Sequence, residues 1–237
     1  MMNYLTFAGK STADFGVLIS GESTYDAPER NVTVQEIAGK NGAVVYDRGN
    51  FKNISVSYPA FIRKDMPDRV RDFLNYMGSF TGYQRLEDTL HPYEYRLARF
   101  KTNTTVQALD YKNRRGKFTI EFDCKPQRFL KDGEKVVTFT ANGKILNRTL
   151  FEARPMLRVY GTGAGTVGIA DDTITISEIS TYIDIDCELM DAYKGTTNLN
   201  NKVSFSGDTV GIPAGEHNIT FTGNITAIDL TPHWWII

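Results

Sequence analysis

Two cysteines, three histidines and two tryptophans in 237 residues leave little raw material for metal or nucleophile chemistry. Cys124 and Cys187 lie far apart, in a chain whose start has no cationic segment followed by a long apolar one. They read as buried, reduced thiols rather than a bridge. The same start argues against Sec-type export, so triplets such as Asn53-Ile-Ser55 and Asn218-Ile-Thr220 carry no glycosylation meaning. No apolar run approaches the ~20 residues of a membrane span. An excess of one charge is also missing: 27 Lys and Arg against 28 Asp and Glu give a net charge of −1. That balance excludes a general affinity for nucleic acid or anionic membrane. No internal repeat, low-complexity tract or flexible linker interrupts the chain.

What is present is β-forming material. Hydrophobic residues at 41% and charged residues at 23% are those of a globular protein. The length allows one large β domain or two ordinary ones with a real core. Gly163, Gly165 and Gly168 fit the dinucleotide spacing G-x-G-x-x-G, which works only where a helix begins and offers free N–H groups to a phosphate. The residues that follow, Ile169-Ala-Asp-Asp-Thr-Ile174-Thr-Ile176, alternate as a strand does. The glycines are therefore expected to join strands, and no cofactor is expected.

Short strands fill the first ~60 residues, with Val32-Thr-Val34 and Val44-Val45-Tyr46 as β-formers and Gly39, Gly42 and Gly49 as punctuation. Ile54, Val56 and Tyr58 fall on one face of a strand. One helix follows. Asp65 is its candidate N-cap, Pro67 lies in its first turn, and Met66, Val70, Phe73, Leu74 and Met77 form one apolar stripe. Gly78 is expected to end it as a left-handed cap, and its stripe to cover the early sheet. Strands resume at Tyr93–Ala98, Thr104–Val106 and Phe118–Cys124, the last ending near Pro126. Asp132-Gly133 reads as a turn near a domain boundary. Beyond it come seven separate short strands, among them Thr173–Ile176, Tyr182–Cys187, His217–Phe221 and Thr226–Leu230, at the spacing of a sandwich.

Candidate chemistry is sparse. Asp184, Asp186 and Glu188 sit at i, i+2 and i+4, with neighbours ~6.6–7 Å apart on one strand face. That overlaps the ~6.5–9.5 Å carboxylate gap of an inverting glycosidase and would also suit a Ca²⁺ site. With Ile183, Ile185, Cys187 and Leu189 on the other face, the acids read instead as the wet side of a half-buried strand. His91, His217 and His233 lack the partner spacing of a zinc site or a Ser–His pair and read as surface or packing residues. Trp234-Trp235 could stack on a sugar or anchor an interface, but a last strand burying alternate side chains explains them better. Arg114-Arg115, with Lys112 and Lys117, reads as a solvated hairpin tip, or as a charged contact to a neighbouring subunit.

The order of signals resembles that of the distal tail proteins of long, non-contractile-tailed phages and prophages. Pro28-Glu-Arg30 … Ile37-Ala-Gly39-Lys40-Asn41-Gly42 … Asp47-x-Gly49-Asn-Phe51-Lys-Asn53 is similar to that family's early block, with Lys40 where arginine is commoner. The helix comes next. Phe122-Asp-Cys124-Lys-Pro126, Arg154-Pro155, Tyr160-Gly161, Ile183–Glu188, Ala192-Tyr193 and Gly207 … Pro213-x-Gly215-x-x-Asn218 follow in the family's order. The resemblance implies a mainly β protein: a ring-forming α+β domain over 1–134 with its helix near 66–77, and a galectin-like β-sandwich over 135–237. It implies a non-enzymatic virion component of the tail, made and assembled in the bacterial host cytoplasm. That component would form a hexameric ring joining tail tube to tail tip or baseplate and letting DNA pass. Implied partners are further copies of the chain, the tail-tube protein, the end of the tape-measure protein, the tail-tip hub or lysin, and a receptor-binding protein. A catalytic site, a metal and a membrane partner are not expected, nor is sequence-specific nucleic acid. Galectin-like shape does not imply sugar binding, and without a Trp before Trp234 lectin activity is not expected. A host-surface carbohydrate-binding module is the alternative. The resemblance leaves the subunit contacts open; Lys40 and Asn41, the Arg48 turn and the Arg114-Arg115 tip are the candidates.

Overall fold

The computed structural model describes residues 2–22, 26–109, 112 and 114–237. The chain divides into two compact units, the first running to Arg128 and taking in Ile237, the second Phe129–Ile236.

The elements up to the division are β1 (Leu5–Phe7), β2 (Lys10–Ser11), β3 (Val17–Ile19), β4 (Arg30–Glu36), β5 (Ala43–Phe51), β6 (Ile54–Ile62), α1 (Met66–Gly78), β7 (Gln84–Asp88), β8 (Glu94–Phe100), β9 (Gln107–Ala108) and β10 (Gly116–Leu130). The main sheet runs β2-β1-β7-β8-β10-β6-β3, with β9 on β10. Alternation decides its buried face. Ile54, Val56, Tyr58, Ala60 and Ile62 of β6 and Phe118, Ile120, Phe122 and Cys124 of β10 are all buried, as a two-residue period requires. Helix α1 lays Phe73 and Met77 into this core, with the Phe73 ring 5.8 Å from Phe118 and 6.3 Å from Phe100. β4 and β5 pair only with each other among the described residues, as a separate two-stranded ribbon.

Four local expectations need correction. Gly78 is the last helical residue and not a left-handed cap. Ser79 closes the helix instead, its N–H and Oγ donating to the Tyr76 carbonyl at 3.2 and 2.7 Å, so no left-handed residue is needed. Asp65 does stand at the N-cap, with φ 54°, but its side chain caps nothing; it lies 3.8 Å from Arg69. Thr104–Val106 is not a strand, and pairing on that side begins at Gln107. β10 also runs past Pro126 to Leu130. The last β6 pair is Cys124–Ile54, so the missing proline N–H costs no bond in that ladder.

The second unit holds β11 (Val137–Phe139), β12 (Gly143–Asn147), β13 (Met156–Ile169), β14 (Asp172–Asp186), β15 (Asp191–Lys194), β16 (Thr197–Asn198), β17 (Val203–Phe205), β18 (Gly215–Thr231) and β19 (Trp235–Ile236). One sheet, β11-β18-β13-β14-β15-β16, with β12 on β18 and β17 on β14, curls around a single core as a β-sandwich does. The glycine run does not join strands: Gly161, Gly163, Gly165 and Gly168 lie inside β13, where the register shifts against both neighbours. The true turn is at Ala170-Asp171, with Ala170 at φ 52°. Glycine is needed because the backbones meet there. A Cβ on Gly161 would sit 2.3 Å from the Asn224 carbonyl oxygen, and one on Gly223 2.6 Å from that of Ala164. The chain thus turns the corner between layers by bulging rather than by stopping. For the same reason the expected strands Thr173–Ile176 and Tyr182–Cys187 lie along one course with β14, and His217–Phe221 and Thr226–Leu230 are both in β18.

Candidate functional site

The acidic residues of β14 are engaged in structural contacts. Asp184 is 4% exposed and accepts from Arg158 Nε at 2.6 Å and Nη2 at 2.9 Å. This bidentate bond holds the guanidinium above its ordinary pKa and fixes the carboxylate as an acceptor. Asp186 Oδ1 accepts from the N–H groups of Glu188 and Leu189 at 2.9 and 3.0 Å, so it caps a turn. Glu188 lies in that turn, beyond the end of β14, and Leu189, expected on the apolar face, is 72% exposed. The three acids therefore do not share a strand face, because the strand stops at Asp186. Among the described residues no group of three or more His, Cys, Asp or Glu side chains could hold a metal ion.

The rest of the sparse chemistry is occupied in packing. Burial pushes the thiols of Cys124 and Cys187 up to about 12, which removes the thiolate a nucleophile needs. His91 Nδ1 lies 3.0 Å from Asp88 Oδ1. That carboxylate also accepts from the backbone N–H of Leu90 and His91 and, at 3.0 Å, from Tyr58 OH. Burial and the Asp88 charge push the Tyr58 phenol up. With Arg96 and the Glu94–Arg128 ion pair these groups line a cavity of about 30 Å³, room for about one water. Residue spacing gave no sign of this network, since Tyr58 reaches Asp88 and Arg128 reaches Glu94 only across the fold. His217 Nε2 lies 3.2 Å from the Ala214 carbonyl, and His233 Nδ1 3.3 Å from that of Arg154. Trp235 stacks on Phe151 at 4.4 Å and donates to the Glu152 carbonyl at 2.8 Å, so one ring face and the indole N–H are already engaged.

The candidate contact residues fare differently. Lys40 and Asn41 lie at the tip of the β4–β5 ribbon and Arg48 lies on its second strand. The turn expected at Arg48 is absent: the residue lies within β5. It lies in a bulge between Asp47 and Phe51, in which Gly49, at φ 74°, donates to Asp47 Oδ1 at 2.8 Å. Arg114 and Arg115 are exposed, and their carbonyls accept from Met66 and Leu109 at 3.3 and 2.9 Å. Asp110, Tyr111 and Asn113, in the same stretch, lie outside the described residues.

The ribbon carries more than these charges. Val34 pairs with Val45 across the strands, and they are 61% and 59% exposed, with Tyr46 at 56%. Both sequence segments read as β-formers; nothing in their pattern told that no second layer would cover them. Elsewhere in the same unit a groove of about 940 Å³ opens beside β6 and β10. Pro59, Phe61 and Val106 supply its apolar lining, and Lys117, Thr119 and Glu121 of β10 its polar side. The Arg63 guanidinium lies 5.3 Å from the Phe61 ring.

The likeness to known proteins is one of architecture. No protein-family model matches the sequence, and no curated protein matches it. Among solved structures, the chain has the fold of a phage tail hub protein. SPP1 Dit (gp 19.1), whose crystal structure is described as a paradigm of the hub adsorption apparatus in phages infecting Gram-positive bacteria, matches with a TM-score of 0.74 at 14% identity, over 100% of each chain.

Proposed function

We propose that this chain is a structural component of a siphophage or prophage tail, a distal tail protein. Six copies close into a ring that joins the tail tube to the tip or baseplate and leaves a passage for DNA. The observation that carries this is the β4–β5 ribbon. A two-stranded ribbon in water is marginal on its own, and this one leaves the Val34–Val45 pair bare. A partner surface is what stabilises it. The ribbon's bare apolar face suits a head-to-tail contact, which closes into a ring when the rotation allows. The fold shared with SPP1 Dit supports the tail role. A net charge of −1 suits a wall along which DNA slides without being held.

In this reading the second unit is a galectin-like sandwich that serves as a platform outside the ring. The tail-tube protein, tape-measure end, tip hub or lysin and receptor-binding protein are the neighbours, and the protein acts by shape without an enzymatic step. Mass measurement in solution with particle imaging tests it. The unmodified chain is expected to give a particle of six monomer masses with a central hole. The double variant Val34→Asp, Val45→Asp is expected to stay folded and monomeric. A monomer at every concentration, also with tube and hub proteins added, would overturn the proposal.

A further inference from the structure

The groove beside β6 and β10 has the dimensions and chemistry of a receptor for the ribbon, and we infer that the β4–β5 ribbon of one copy docks in this groove of the next, with Glu36 against Lys117. The inference rests on the ring reading and adds the acceptor and the register.

Length agrees first. Val32 to Glu36 on β4 and Lys117 to Glu121 on β10 are five extended residues each, about 13 Å. Polarity agrees next. Val32, Val34 and Glu36 share one ribbon face by alternation, with Val45 opposite Val34 and Ala43 opposite Glu36. That face is an apolar patch ending in an acid. The groove has Pro59, Phe61 and Val106 beside the cation Lys117. Pro59 and Phe61 stand on the face of β6 opposite the buried Tyr58, Ala60 and Ile62, so nothing in their own sheet's core covers them. Charge agrees last. Glu36 and Lys117 are both exposed and neither has an ion-pair partner among the described residues, whereas Asp47 on the same ribbon face is held by Arg30. Opposite charges at a rim fix register and speed association. Ribbon and groove are different surfaces of one unit, so the contact is heterologous and passes from copy to copy.

Charge reversal in the full chain tests this. Lys117→Glu and Glu36→Lys are each expected to raise the concentration of half-assembly by about fivefold or more, with the fold unchanged by circular dichroism. The double reversal is expected to restore assembly towards the unmodified value. Independently, Val45→Cys with Thr119→Cys is expected to give bismaleimide-linked ladders up to the ring size, because Cys124 and Cys187 are buried and unreactive. A ring that forms but is indifferent to both reversals, or is not rescued by the double reversal, or gives no ladder, would overturn the inference and leave the ring reading standing. Absence of any ring from the unmodified chain would overturn both.

Discussion

At the scale of single residues, glycine does the most specific work. Gly223 combines a left-handed φ of 75° with a position where a Cβ would lie 2.6 Å from the Ala164 carbonyl oxygen and 2.8 Å from Gly165 Cα. Both obstacles are backbone, so no rotamer change relieves them. Gly223→Ala is expected to cost about 2–4 kcal/mol, strain and overpacking together. Gly82, with open space around it and no left-handed φ, is the control: Gly82→Ala is expected to stay within about 0.5 kcal/mol. Urea denaturation of the two variants checks the difference, and equal midpoints would contradict the crowded-corner account. Asp184 is a second case of environment deciding role. A carboxylate that sequence places on a wet face becomes a buried partner once Arg158, 26 residues away, lies opposite it in register.

At the scale of elements, α1 and the β4–β5 ribbon stand at opposite extremes. The helix spacing is legible because a single stripe must be buried, and Phe73 and Met77 are buried to 0% and 1% exposure. The ribbon has no such cover and is held by local bonds: Asp47 accepts from Gly49 N–H and pairs with Arg30. The Gly49 amide first, and the Arg30 guanidinium second, hold the Asp47 carboxyl below its ordinary 3.8. A lowered acid pKa contributes order above 3.8 that is lost as pH falls through the folded value. The Val34–Val45 cross-strand contacts are therefore expected to persist at pH 6 and to weaken below pH 3.8, read by NMR on the groove variant Lys117→Glu held below its assembly concentration. Asp47→Asn is expected to remove that acid step. An acid transition unchanged in the Asn variant would count against this arrangement. Buried alternation in β6 and β10 was legible in the same way as the helix. The merging of short runs into β14 and β18 was not, because a bulge and a turn use the same small residues.

For the whole molecule, the two free thiols report on both cores. Burial raises Cys124 and Cys187 from an ordinary 9.0 to about 12. A raised pKa contributes stability that is complete below pH 9 and is lost as pH climbs towards 12, where the folded thiols at last ionise. Iodoacetamide at pH 8 is expected to label neither cysteine in the native chain and both in denaturant. The denaturation midpoint is expected to fall between pH 9 and 11, and rapid native labelling of either thiol would contradict an intact core around it.

The sequence by itself determined the class of the chain: alternation with period two, one stripe with period 3.6 and a balanced charge. These are local properties, set by which side of a strand or helix each residue occupies. Only the tertiary structure decided that the glycines bend a strand, that Asp184 is a structural partner, and that Val34 and Val45 stay bare. Each of those depends on what lies opposite in space, and chain neighbours carry no record of that.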